Sequence, residues 1–182
     1  MQLTPLGLPG LALLETPLYR DDRGAFVETW NARALAAAGI AASFVQDNLS
    51  LSRRHVLRGL HYQARQPQGK LVRVLSGRVY DVVVDLRSSS ASCGRTFCLE
   101  LAADEARALW VPAGFAHGFL ALADDTRVQY KVTDYWAPEW ERTLAWDDPA
   151  LAIAWPLPAG VAPLLSAKDR SGVPLAAAER YP

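Results

Sequence analysis

Among the side chains that can move protons or hold developing charge, five stand out by their setting: His61, Lys70, His117, Tyr130 and Asp169. Histidine titrates near neutral pH and serves as a general base or acid. Only His55, His61 and His117 are histidines, and only Lys70, Lys131 and Lys168 are lysines, so each can be weighed singly. His61 lies in Leu57-Arg58-Gly59-Leu60-His61-Tyr62-Gln63. In a strand, Arg58, Leu60 and Tyr62 would face one way and Gly59, His61 and Gln63 the other. Gly59 there leaves room for close approach of a ligand or a backbone. Lys70 opens an otherwise core-like strand, Leu71-Val72, where an ammonium at a cavity mouth would stabilise an enolate or hold a phosphate. Tyr130, in Val128 to Val132, offers a phenol as proton donor. Asp169, in Leu165-Ser166-Ala167-Lys168-Asp169, is a carboxylate able to orient an imidazole. Each also has an ordinary structural use: a core histidine on a carbonyl, a solvated lysine, a satisfied tyrosine, a helix cap.

His117 falls in Pro112-Ala113-Gly114-Phe115-Ala116-His117-Gly118-Phe119. This Pro-x-Gly-x-x-His run resembles the second motif of cupins, which are small jelly-roll barrels. In metal cupins the first motif supplies two further histidines and a glutamate. Here His61 has no second histidine two residues on and no glutamate at the usual offset. Two histidines fall short of the three or more protein ligands that a metal usually takes. The expectation is a barrel without a metal.

The elements that must carry these residues read mostly as strands. Residues 1–20 read as an arm and an edge strand, and Asp21-Asp22-Arg23-Gly24 as a turn before a short strand from Ala25 to Trp30. Asn31 is placed to cap a helix over Ala32 to Ala38 that Gly39 ends. Strands are then predicted over Phe44 to Leu51, Val56 to Gln63, Leu71 to Leu75, Val79 to Leu86, Thr96 to Leu101, Arg107 to Val111, His117 to Leu122 and Val128 to Tyr135. Ser76-Gly77 reads as a tight turn between the third and fourth of these. This spacing predicts a β-sandwich or barrel. The Trp- and Pro-rich last 40 residues are expected to pack on it as short helical turns. No G-x-G-x-x-G or P-loop occurs, which argues against a Rossmann cofactor site.

The 182 residues, 51% hydrophobic and 21% charged, describe an ordinary globular chain rather than a disordered or coiled-coil one. Nineteen basic residues balance nineteen acidic ones, so a nucleic-acid partner is not expected. Arginine dominates the cations and suits bidentate contact with phosphates. Cys93 and Cys98 read as reduced thiols. Absence of a basic n-region and of a long apolar run leads to the expectation of a cytoplasmic protein with no membrane span.

Together these pieces resemble the dTDP-4-dehydrorhamnose 3,5-epimerase family. The resemblance rests on Gln46-Asp47-Asn48-Leu49-Ser50, Leu57 to Gln63, Lys70-Leu71-Val72, Asp81-Val82-Val83-Val84-Asp85, Pro112 to Phe119, Tyr130-Lys131, Trp146-Asp147-Asp148-Pro149 and Leu165 to Asp169, in order from about residue 10 to about residue 170. It implies a mainly β protein, a single cupin-type jelly roll over residues 1–182. An N-terminal arm would span about 1–30 and a short-helix segment about 138–182. It also implies a cytoplasmic isomerase that acts on a dTDP-4-keto-6-deoxyhexose without cofactor or metal and makes rhamnose precursors for cell-surface glycans. His61 would be the base, Asp169 its orienting carboxylate, Tyr130 the acid and Lys70 the group near the C4 oxygen. Arg23, Glu28, Gln46, Asn48, Arg58, Lys70, His117, Glu141 and Lys168 match substrate-binding positions, and Phe26 is a candidate to stack on the base. A homodimer is implied, its arms carrying Arg23 and Glu28 to the neighbouring site. The rival readings are an epimerase of one centre only, a metal cupin, and a non-catalytic nucleotide-sugar-binding protein.

Overall fold

The structure is a computed structural model that describes all 182 residues. Thirteen strands and two short helices follow in chain order. The strands are β1 (Gln2–Pro5), β2 (Ala12–Glu15), β3 (Leu18–Asp21), β4 (Gly24–Val27), β5 (Gln46–Ser52), β6 (Leu57–Gln63), β7 (Lys70–Ser76), β8 (Arg78–Asp85), β9 (Thr96–Ala102), β10 (Arg107–Val111), β11 (Phe115–Ala121), β12 (Thr126–Val132) and β13 (Glu141–Thr143). The helices are α1 (Ala32–Ala37) and α2 (Ala167–Arg170). Single 3-10 turns lie at Ala103–Glu105, Pro138–Trp140, Pro149–Leu151 and Leu175–Ala177.

Two antiparallel sheets face each other. One runs β1-β2-β10-β7-β12-β5, the other β13-β6-β11-β8-β9. This is the cupin-type jelly roll. The core between them joins Val72, Val74, Leu109, Val111 and Val128 of the first sheet to Val79, Val83, Leu101, Phe115 and Phe119 of the second. Burial of such side chains, at roughly 1.5–3 kcal/mol each, is the main force holding the sheets together.

The outer faces are covered too. Val82 and Val84 turn away from Val83 and pack with Leu144, Leu151 and Leu175 of the C-terminal segment. A strand buried on both faces reads as a continuous apolar run, which explains Val82-Val83-Val84. On the other side Leu35 of α1 and Ile40 pack on Leu14, Leu71 and Ala108. Asn31 caps α1 as expected, its side chain accepting from the Ala34 N–H.

Four local expectations change. Ser76-Gly77 is not a hairpin turn, because β7 and β8 belong to different sheets. Gly77, at φ +74°, carries the chain from one sheet to the other so close to Thr126 that a Cβ would lie 2.4 Å from its Oγ1. The strand expected to reach Trp30 ends at Val27, and the one expected to reach Tyr135 ends at Val132. β6 does not alternate strictly. His117 pairs with His61 but Phe119 pairs with Arg58, so β6 carries one extra residue, a bulge at Gly59 and Leu60. Arg58 and His61, expected on opposite faces, therefore both reach the same cavity.

Candidate active site

A cavity of about 710 Å³ lies between the sheets, lined by β5, β6, β7, β11, β12, β13 and α2. Of the residues singled out in the sequence, Gln46, Asn48, Arg58, His61, Lys70, His117, Tyr130, Glu141, Lys168 and Asp169 line it together. His61 and His117 come from the five-stranded sheet, Lys70 and Tyr130 from the six-stranded one, so the cavity has a histidine wall and a lysine–tyrosine wall. Along β5 the polar Gln46, Asn48 and Ser50 are partly buried, while Leu49 and Leu51 are exposed. This inverted alternation marks a strand whose inner face lines a polar cavity rather than a core.

His61 Nε2 lies 2.6 Å from Asp169 Oδ1. With Asp169 ionised, Nε2 carries the proton and donates it, leaving Nδ1 as the basic nitrogen. Asp169 is itself fixed by three more donors: Gly59 N–H at 3.2 Å, Ser166 N–H at 3.3 Å and Ser166 Oγ at 2.6 Å. Burial alone would raise the Asp169 pKa, but the hydrogen bonds from His61, Ser166 and Gly59 outweigh it and hold the carboxyl well below the usual range. Burial lowers the His61 pKa, with Lys168 and Lys70 acting in the same direction and Asp169 against it. The net effect favours a neutral imidazole at neutral pH.

Lys70 is buried, and its Nζ donates to the His61 carbonyl at 3.2 Å. Burial lowers its pKa to about 8, opposed by Asp81 and Glu141 and aided by Lys168. Burial also pushes the Tyr130 phenol upward, countered by Arg58, so the hydroxyl stays protonated at neutral pH. His117 Nε2 sits 3.0 Å from both carboxylate oxygens of the fully buried Asp81. Arg58 is held by Ser52 Oγ at 3.1 Å and the Leu51 carbonyl at 3.0 Å. Lys168 Nζ and Glu141 pair at 2.8 Å at the rim.

Arg23, Glu28 and Phe26 do not join the cavity. They lie on or just after the β3–β4 hairpin, where Arg23 pairs with Asp21 at 2.6 Å and Glu28 accepts from Asn31 at 3.2 Å. The sequence reading overlooked Asp81, Ser166 and Trp136. A carboxylate inside a valine strand needs a buried partner, which was the signal for Asp81. Ser166-x-x-Asp169 is a capping-box spacing, and the box forms. Trp136 left no signal beyond being aromatic, yet it lines the cavity while 57% exposed. No group of three or more His, Cys, Asp or Glu side chains is placed to hold a metal ion. No helix is long and apolar enough to cross a membrane.

The jelly roll with its cavity between two sheets has the architecture of the cupin-like sugar epimerases. Comparison with known proteins fixes the family. The family profile described as dTDP-4-dehydrorhamnose 3,5-epimerase matches residues 5–177. The enzyme of that name from Pseudomonas aeruginosa is 52% identical over 100% of both chains. The one from Escherichia coli is 46% identical over 86% of this chain and 85% of its own. The Legionella pneumophila enzyme, solved with dTDP-4-keto-L-rhamnose, superposes at a TM-score of 0.91, with 44% identity over 96% of this chain and 93% of its own. A 3'-monoepimerase from Streptomyces bikiniensis, solved with dTDP-quinovose, gives 0.89 at 33% identity over 97% and 89%. The chain belongs to the dTDP-4-dehydrorhamnose 3,5-epimerase family and is an isomerase.

Proposed function

We propose that the protein inverts C3 and C5 of dTDP-4-dehydro-6-deoxy-D-glucose to give dTDP-4-dehydro-L-rhamnose, as a step toward dTDP-L-rhamnose for cell-surface glycans. The observation that carries this reading is the placement of His61, backed by Asp169, and Tyr130 on facing walls of one cavity. The C4 ketone acidifies the hydrogens on C3 and C5. His61 Nδ1 removes one as a proton, and the C–H electron pair becomes the enolate. Lys70 offsets the negative charge that develops on the C4 oxygen, a kind of contribution worth roughly 3–4 kcal/mol in a dry site. Tyr130 returns a proton to the opposite face, which inverts the centre, and the two groups then re-equilibrate their protons. No electron leaves the substrate, so the balance needs no redox partner.

Arg58 and Lys168 supply cations for the pyrophosphate, Lys168 exchanging its Glu141 partner for a phosphate oxygen. Gln46, Asn48 and His117 face the sugar and nucleoside. Trp136 offers an indole face to the thymine at the mouth. The single jelly roll works as a homodimer. The β3–β4 hairpin pairs with no other strand of its own chain and exposes Tyr19 at 63% and Phe26 at 68%. A second copy would cover these rings and receive Arg23, Glu28 and Phe26 at its own cavity. The unpaired Cys93 and Cys98 suit a reducing compartment, and the site of action is the cytoplasm.

One second reading has support, from the likeness to the 3'-monoepimerase: inversion of one centre only. Proton NMR of the product separates the two. The L-rhamno ring pattern is expected, and a product changed at C3 alone or C5 alone would favour the second reading.

A further inference from the structure

Between β12 and the turn at Pro138–Trp140, residues 134–137 have no regular structure, yet glutamine side chains engage four of their backbone groups. Gln68 Nε2 donates to the Asp134 carbonyl at 2.8 Å. Gln63 Nε2 donates to the Tyr135 carbonyl at 3.2 Å and to the Gln66 carbonyl at 2.8 Å. Gln46 Oε1 accepts from the Trp136 N–H at 3.1 Å, and Gln63 Oε1 from the Ala137 N–H at 2.8 Å. The three amides come from the start of β5, the end of β6 and the loop after it, so they hold the segment from three places. Gln63 is 4% exposed and uses both ends of its amide. Gln46 is likewise spent, its Nε2 donating to Asn48 Oδ1 at 2.8 Å.

The one side chain this segment presents to the cavity is Trp136. A large ring that is more than half exposed has little packing to fix it, so its backbone must do so. We propose that Gln63, Gln68 and Gln46 act as a clamp that sets Trp136 at the cavity mouth. They would be positioning residues for the nucleoside end of the substrate rather than for the proton transfers. Gln46 then has a second task beside facing the ligand, that of holding the Trp136 N–H. This rests on the placement of the nucleoside against Trp136 proposed above. A preformed wall costs no ordering on binding, so loosening it weakens nucleotide affinity and leaves the chemical step alone.

The test compares dTDP affinity by calorimetry with steady-state kinetics on dTDP-4-keto-6-deoxyglucose. The variants are Trp136→Ala, Gln63→Leu, Gln68→Leu and each glutamine change combined with Trp136→Ala. Gln68 is only partly buried, which protects the test should Gln63→Leu fail to fold. Each glutamine change is expected to raise the dTDP Kd and the KM about threefold to tenfold, the worth of one or two hydrogen bonds, with kcat holding within about twofold. In the Trp136→Ala background the same changes should add nothing. Full additivity there, or a fall in kcat with KM unchanged, would overturn the clamp. If Trp136→Ala alone leaves dTDP binding intact, the nucleoside does not lie against Trp136, and the placement fails before the clamp.

Discussion

Asp169 and His61 meet at 2.6 Å although 108 residues separate them, and the contact chooses which imidazole nitrogen is basic. Asp169→Asn puts an amide in that place. Its NH2 would donate to Nε2, the proton would move to Nδ1, and the lone pair would leave the cavity. Turnover should fall by roughly 10²–10⁴-fold with a modest change in KM. Without the carboxylate that opposes desolvation, the His61 pKa drops further, so the acid limb of the residual rate should move to lower pH. Steady-state kinetics over a pH range checks both.

The wild-type pH profile follows from two groups with opposite requirements. His61 must be neutral, and burial sets its pKa below the ordinary 6.5, so activity should persist below that pH before it falls. Lys70 must be charged, and burial brings it to about 8, so activity should decline above that value. Tyr130, raised above its ordinary 10.0, titrates later and does not set this limb. Lys70→Arg keeps the charge to far higher pH and should move the alkaline limb upward. A limb left at the same pH would assign it to another group.

Gly59 is where the fold meets the site. It holds φ +133°, and a Cβ there would lie 2.6 Å from Gly118 Cα. Gly59→Ala should cost about 2–4 kcal/mol, from backbone strain and overpacking together. It should also lower turnover, because the bulge brings Arg58 and His61 to one side and its N–H holds Asp169. Thermal unfolding and a rate assay measure the two effects.

Much of this was legible from residue types. The valine run of β8, the Asn31 cap and the eight-to-twelve-residue spacing of strands are local signals, and they predict the elements well. The bulge in β6 was not legible, because one glycine in a strand does not reveal which neighbour crowds it. Nor was the path at Gly77, since a tight turn and a crossing between sheets use the same dipeptide. Of the ten residues that converge on the cavity, His61, Lys70, His117, Tyr130 and Asp169 stand out by type, and Gln46, Asn48, Arg58, Glu141 and Lys168 come through the family resemblance. Their types alone left a core histidine and a solvated lysine equally open. Asp81, Gln63 and Gln68 escaped because their partners are distant in sequence.

The β3–β4 hairpin should lose its exposed character in solution through a second copy. Light scattering is expected to give the mass of a dimer. Arg23→Ala should raise KM several-fold without altering the mass, whereas Phe26→Asp with Tyr19→Asp should yield monomers of low activity. A fully active monomer would contradict the shared site.

The central claim is that His61 takes the proton from one face and Tyr130 returns one to the other. The most direct measurement is deuterium incorporation at C3 and C5 of dTDP-4-keto-6-deoxyglucose in D2O, read by NMR for the wild type, His61→Asn and Tyr130→Phe. The wild type should label both carbons and invert both. Tyr130→Phe should exchange label without inverting, since His61 can return what it removes, and His61→Asn should do neither. Wild-type exchange in His61→Asn, or normal inversion in Tyr130→Phe, would contradict the account.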